Sequence, residues 1–122
     1  MKQSIKIFKA LSNETRLQMY RLLLESDLCV GQLTNVLNMK QSRISHSLRI
    51  LRNAGLVDTL RDGKRVIYSP HKSMAENWIA REVKNTIKIP AEDLEKMQYC
   101  KTDNIPTKNS IFSIAPMGTV EG

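Results

Sequence analysis

Apolar residues along this chain fall mostly at helical spacing, with one interruption where the period shortens. In "SIKIFKALS", Ile5, Phe8 and Leu11 share one face of a short opening helix. "ETRLQMYRLLLES" places Leu17, Tyr20, Leu23 and Leu24 on a second, with Ser12 or Asn13 available as its cap. A third short helix over "VGQLTNVLNM" turns Leu33, Val36 and Leu37 inward, and Asn38 is suited to the left-handed conformation that ends a helix. The clearest helix is "QSRISHSLRILRNAG", striped by Ile44, Leu48 and Leu51 and stopped at Gly55. In "LVDTLRDGKRVIYS" two β-prone segments flank the turn pair Asp62-Gly63, a strong hairpin signal. Helical spacing returns in "HKSMAENWIAREVKNTIKI", with Ala75, Ile79, Val83 and Ile87 in a row that Met74 and Trp78 widen, until Pro90 stops it. "AEDLEKMQYC" suggests one more short helix, and the remainder, with two prolines and no sustained period, is expected to be a flexible tail.

The order of elements is mainly α with one β-hairpin. A short helix, a tight break, a second helix and a basic hairpin describe a winged helix-turn-helix. Residues 1–90 form the expected folded domain, and residues 91–122 a short helix and tail. At 122 residues the chain supports one small core.

Composition narrows the class. A 41% hydrophobic and 25% charged content suits a globular protein, and no apolar run approaches the ~20 residues of a membrane span. The first residues lack the apolar core of a signal peptide, so a cytoplasmic location is expected, with no membrane partner. Two cysteines far apart in such a chain suggest reduced thiols. The formal charge is +7, and its distribution matters more than its size. Residues 1–90 hold sixteen Lys/Arg against seven Asp/Glu, while residues 91–122 hold three against five. The excess is densest from Lys40 to Arg65, where seven basic residues face only Asp58 and Asp62. Such a patch suits a polyanion, a solvated basic face being the plainer alternative.

A recognition helix needs polar groups opposite its core stripe and positive character at its N-terminus. Gln41, Ser42, Arg43, Ser45, His46 and Arg49 supply both, with Gln suited to adenine, Arg to guanine and Ser to either. Arg61, Lys64 and Arg65 surround the hairpin turn, where they would meet the DNA backbone or minor groove. A charge-guarded edge hairpin is the alternative for that turn. Enzymatic chemistry finds no support. There are two histidines, no Gly-rich phosphate loop, and no nucleophile with an evident base, while Glu92, Asp93 and Glu95 fall in a solvated acidic segment.

"LSNETRL", "DLCVGQL", "QSRISHSLRILRNAGLV" and "RDGKRVIYS" in this order and spacing resemble the ArsR/SmtB family of metal- and stress-responsive repressors, over residues 5–88. The resemblance implies a homodimer formed through the first and last helices of the domain. It also implies an inverted-repeat operator on double-stranded DNA and release from it when an inducer binds. Ser47 stands where the family usually has His, a departure that touches packing or one helix contact.

Arsenic- and antimony-sensing members are similar to this chain at "DLCVGQL", where they carry Cys-x-Cys-x-x-Cys. Here only the first thiol is present, Cys29, with Gly31 and Thr34 at the other two positions, so the three-thiolate site is absent. The family's zinc-type site along the last helix corresponds to about Lys72, Met74, Asn85 and Lys88, none a suitable set, and His71 reads as a helix-start residue. Cys100 lies ten residues past Pro90, a stretch that extends to ~33 Å and so can approach Cys29. Two thiols suit a trivalent arsenic or antimony species as inducer, or oxidation to a disulfide or persulfide bridge. No cofactor is required. The expected function is therefore a thiol-responsive DNA-binding repressor. Its rivals are the same repressor with Cys29 packed as a small hydrophobe, and a thiol-carrying interaction protein that binds no specific DNA.

Overall fold

A computed structural model of the chain describes residues 2–72 and 77–104, with side-chain surroundings through residue 97. The chain divides into two compact units, Met1–Pro90 and Ala91–Gly122. The first holds α1 (Lys2–Leu11), α2 (Glu14–Glu25), β1 (Leu28–Cys29), α3 (Val30–Leu37), α4 (Gln41–Asn53), β2 (Val57–Asp62), β3 (Arg65–Pro70) and α5 (Trp78–Thr86). The second holds α6 (Ala91–Asn104), longer than the ten residues expected. The expected tail from residue 105 lies outside the described residues.

The segment "LSNETR" works as a joint between two helices. Asn13 caps α2, its Oδ1 accepting from the Arg16 backbone N–H at 3.1 Å. Ser12 instead closes α1, donating its hydroxyl to the Lys9 carbonyl at 2.7 Å. Arg16 then folds back, and its Nε donates to the Ala10 carbonyl at 2.7 Å. A cation on the exposed carbonyls of a helix C-terminus is favoured by both hydrogen bonding and the helix dipole.

The buried face of α1 is not the one the spacing singled out, and that of α2 matches it at Tyr20 and Leu23. On α1, Ile7 and Ala10 are buried, whereas Ile5 and Phe8 are 48% and 54% exposed. On α2 the buried set is Thr15, Met19, Tyr20, Leu22 and Leu23, and Leu17 and Leu24 are half-buried. Both helices are apolar around much of their circumference, so period alone leaves open which arc faces the core. On α3 and α4 the expected faces are the observed ones: Leu33, Val36, Ile44, Leu48 and Leu51 are buried, with Leu37 half-buried. Gly55, at φ +81°, sits just past the end of α4 as a left-handed stop.

The wing is a three-stranded antiparallel sheet in the order β1-β3-β2, larger than the expected hairpin. β1 is two residues long, too short for a period to register, and pairs Leu28 with Tyr68 and Cys29 with Ile67. The hairpin turn is shifted by one residue from the expected Asp62-Gly63 pair. Asp62 pairs with Arg65, which leaves Gly63 and Lys64 as the central residues, with Gly63 at φ +65°. Positive φ at the first central position alone is the pattern of a type II′ turn, which wants glycine there.

The last helix of the first unit, expected over residues 71–89, is described from Trp78 to Thr86, and Lys72 is helical as well. Asn77 is the N-cap at Trp78, with Oδ1 accepting from the Ile79 N–H at 3.0 Å, and Ile87 closes the helix ahead of Pro90. Ala80 and Val83 are its buried positions, Ile79 and Ile87 are half-buried, and Trp78 is 59% exposed. Met74 and Ala75 lie outside the described residues.

One core group is out of balance. Tyr20 has no exposed surface, and its hydroxyl has no hydrogen-bond partner among the described residues. Burial pushes its pKa up to about 12. Removing that hydroxyl costs no bond and relieves a desolvated polar group. Tyr20→Phe is therefore expected to stabilise the fold by about 1 kcal/mol and raise Tm by several degrees. The pH dependence has a definite sign. The folded state holds this proton above the unfolded value of 10.0, so the part of the stability that depends on a protonated Tyr20 is fully present below pH 10 and is lost as pH climbs towards 12. The advantage of Tyr20→Phe should widen across that window, as thermal unfolding at pH 8 and pH 11 would read out. An equal advantage at both pH values, or a destabilised variant, would mean the hydroxyl is satisfied.

Candidate nucleic-acid interface

α3 and α4 meet at a tight break. Asn38 adopts the left-handed conformation at φ 54° and ψ 50°, and its N–H closes α3 on the Thr34 carbonyl. The chain can then turn within two residues into α4. Buried Leu33 and Val36 on one helix and Ile44, Leu48 and Leu51 on the other lock the pair.

The start of α4 differs from those of α2 and α5. Those are capped by Asn13 and Asn77, while Lys40, at the cap position of α4, supplies no side-chain bond, and the first turn holds no acid. Within that first turn the Arg43 N–H donates to the Lys40 carbonyl at 3.1 Å, so a phosphate arriving here would meet the N–H groups of Gln41 and Ser42, beside the positive charges of Lys40 and Arg43.

The outer face of α4 follows from its inner one. With Ile44, Ser47, Leu48 and Leu51 buried, Ser42, His46, Arg49 and Asn53 form an exposed line at i, i+4, i+7 and i+11. Gln41 and Arg43 are exposed beside the line, and Ser45 is half-buried on its flank. Arg43 also reaches back to α2, with Nη2 3.4 Å from Thr15 Oγ1. Asn53 continues the line by one turn at the same spacing, beyond the residues the sequence singled out. Ser47, the departure from the family pattern, is 5% exposed and so packs inward.

On the wing, Arg61 and Lys64 are exposed on either side of Gly63, and Arg65 is half-buried. All the basic side chains expected to meet DNA therefore lie on α4 or the wing. His71 is set apart from them. Its N–H donates to the Leu56 carbonyl at 2.9 Å, and its Nε2 is 3.8 Å from Asp58 Oδ2.

Cys29 is only 8% exposed and occupies the N-cap of α3. Its N–H donates to Gln32 Oε1 at 2.8 Å, while its side chain faces the Gln32 backbone N–H, a capping box with sulfur in the usual place of a hydroxyl. Gln32 is 1% exposed, a buried polar residue that the apolar pattern gives no reason to single out. The spacing Cys-x-x-Gln was the available signal, but cysteine is an unusual cap. A Cβ at Gly31 would lie 3.9 Å from the Cys29 sulfur, and the Thr34 hydroxyl donates to the Gly31 carbonyl at 2.7 Å. Cys100 falls on α6, with its side chain outside the described residues. Among the described residues, no group of three or more His, Cys, Asp or Glu side chains could hold a metal ion. Nor is any described helix long and apolar enough to cross a membrane.

A helix-turn-helix joined to a three-stranded wing, with basic side chains on both, defines a winged helix-turn-helix DNA-binding protein. The model of the bacterial regulatory protein arsR family matches residues 13–59. The arsenical resistance operon repressor of Escherichia coli is 39% identical over 89 residues, which cover 66% of this chain and 76% of that protein. A cadmium resistance transcriptional regulatory protein CadC homolog of Staphylococcus aureus is 43% identical over 65 residues, a match spanning 52% of this chain but only 54% of that relative's length. Among solved structures, HlyU from Vibrio cholerae is similar at a TM-score of 0.63 and 31% identity, covering 71% of this chain and 95% of that one. A homodimeric winged helix-turn-helix DNA-binding domain from Mycobacterium bovis gives 0.61 and 29%, covering 67% and 77%. The chain belongs to the ArsR family of bacterial transcriptional regulators, which are not enzymes.

Proposed function

We propose that the protein is a homodimeric transcriptional repressor that reads an inverted-repeat operator with α4, grips the flanking backbone with the wing, and lets go when a thiol-seeking inducer reaches Cys29, assisted by Cys100. The exposed line Ser42-His46-Arg49-Asn53, running from an uncapped helix start, carries the DNA part of this reading. Dimerisation through α1 and α5 is supported by Ile5, Phe8 and Trp78, large apolar side chains about half exposed in a single protomer. The related Mycobacterium bovis domain is itself described as homodimeric.

The position of Cys29 supports the release step. It caps the first helix of the reading pair and is paired with the wing strand at Ile67. A trivalent arsenical or antimony species, or an oxidant, that bonded its sulfur would displace the capping box and shift α3 against the wing. By linkage, such an inducer binds the free dimer more tightly than the DNA-bound one. Its 8% exposure favours a second reading, in which the thiol is a core and capping group of a repressor without a cysteine sensor.

Fluorescence anisotropy on the protein's own promoter DNA separates the two readings. Arsenite, methylarsenite and a persulfide donor or mild oxidant would be titrated into wild type, Cys29→Ser and Cys100→Ser. The proposal expects release by at least one agent, at least tenfold weaker in the Cys29 variant. Tight DNA binding that no agent moves would assign Cys29 to the core. No preference for any promoter sequence would overturn the repressor reading and favour a thiol-carrying interaction protein.

A further inference from the structure

We propose that Gln3 is a positioning residue that sets the distance between the two recognition helices of the dimer. This rests on the reading of the chain as a DNA-binding dimer. The Gln3 side chain leaves α1 towards the end of α4, and its Nε2 donates to the carbonyl of Ala54, the C-cap of α4. That carbonyl stands past the last turn, where no intrahelical N–H can reach it. The backbone comes so close that a Cβ on Gly55 would lie 2.9 Å from Gln3 Nε2. Gly55 is favoured here by its φ of +81°, and a side chain in its place would also push the Gln3 amide aside.

The same helix carries the exposed pair Ile5 and Phe8, two and five residues further on. α1 therefore joins the face that meets a second copy to the end of the helix that reads DNA. A dimer reads two half-sites only if their separation matches that of its recognition helices, so a tilt of α4 against α1 becomes a change in preferred spacing. The hydrogen bond from the Gln3 amide to the end of α4 resists that tilt. The side chain must have both the length to reach Ala54 and a donor at its tip. Methionine matches the length without the donor, and arginine restores a donor at similar reach.

The experiment starts from duplexes selected by the wild type out of a randomised library. The enriched operator is compared with versions carrying one base pair more or fewer between half-sites, for wild type, Gln3→Met and Gln3→Arg. Dimerisation and Tm are recorded for each. Gln3→Met is expected to bind the native spacing about fivefold more weakly and to lose most of its discrimination against the altered spacings, with the dimer intact. Gln3→Arg should recover the discrimination. A methionine variant that keeps the wild-type spacing preference overturns the proposal even if its Tm falls, because a purely structural bond would move only Tm. An arginine variant that fails to recover discrimination also counts against it. If the wild type enriches no operator at all, the DNA-binding reading itself fails, an outcome distinct from either.

Discussion

Replacing Arg61 and Lys64 with glutamate should weaken DNA binding by on the order of a hundredfold at physiological salt, and by a similar factor on specific and non-specific duplexes. Both side chains are exposed at the tip of the wing, flanking the tight turn at Gly63. Arg65, opposite Asp62 in the register, is half-buried, so Arg61 and Lys64 are the exposed charges at the wing tip. A phosphate that no cationic side chain neutralises keeps its counterion, so the slope of log affinity against log salt should become shallower by about two. The necessary control is a charge change of equal size elsewhere. Lys84 and Lys88 are exposed at the far end of α5 and just beyond it. Their double glutamate variant should cost less than about threefold, since exposed charges beyond a Debye length of ~8 Å are largely screened. Equal losses in the two variants would mean that net charge, not the wing, holds the DNA.

Much of this candidate surface was legible in the sequence, because its signals are local. The Ile44/Leu48/Leu51 stripe fixes which side of α4 faces out, and Asn38, Gly55 and Gly63 mark breaks by backbone preferences that few residues share. What stayed hidden depends on partners distant in sequence. Gln3 meets Ala54 fifty-one residues away, and Arg21 donates from Nε to the Ile87 carbonyl at 2.8 Å across sixty-six. No spacing rule reaches that far. β1 escaped for the opposite reason, since two residues carry no period and acquire strand geometry only from β3. The exposed faces of α1 and α5 show a third limit. Apolar spacing marks a face that will be covered without saying whether the cover comes from the same chain or from another.

A common device links these distant pairings. Arg16 closes the end of α1, Gln3 the end of α4 and Arg21 the end of α5, in each case with a donor from a different helix placed on a C-terminal carbonyl. Helix C-termini present carbonyls with no internal donor, so a side chain that supplies one satisfies a polar group and fixes an angle between two helices. For α4 and α5 that angle decides where the reading surface lies relative to the apolar faces of α1 and α5. Such bonds contribute about 1 kcal/mol each to stability, and more to geometry than to the total.

The two faces of α4 should respond to truncation in opposite ways, and this contrast is the sharpest test of its assignment. Leu48 has no exposed surface and lies on the stripe that holds α4 to the rest of the core. Leu48→Ala removes buried methyl groups and leaves a cavity, a combination that costs about 3–5 kcal/mol. A domain of this size has roughly 5–13 kcal/mol of stability in all, so the variant should melt many degrees lower, with DNA affinity falling as the folded fraction falls. His46, two residues earlier, projects from the exposed line. His46→Ala should change stability by no more than about 0.5 kcal/mol. Its effect should appear in operator affinity alone, as a drop of about tenfold on the selected sequence with little change on random duplex. Thermal melts and anisotropy on the same two samples read both quantities. If His46→Ala also destabilised the fold, or weakened specific and random DNA alike, the outer line of α4 would be a structural or merely electrostatic surface, and base reading would have to come from elsewhere.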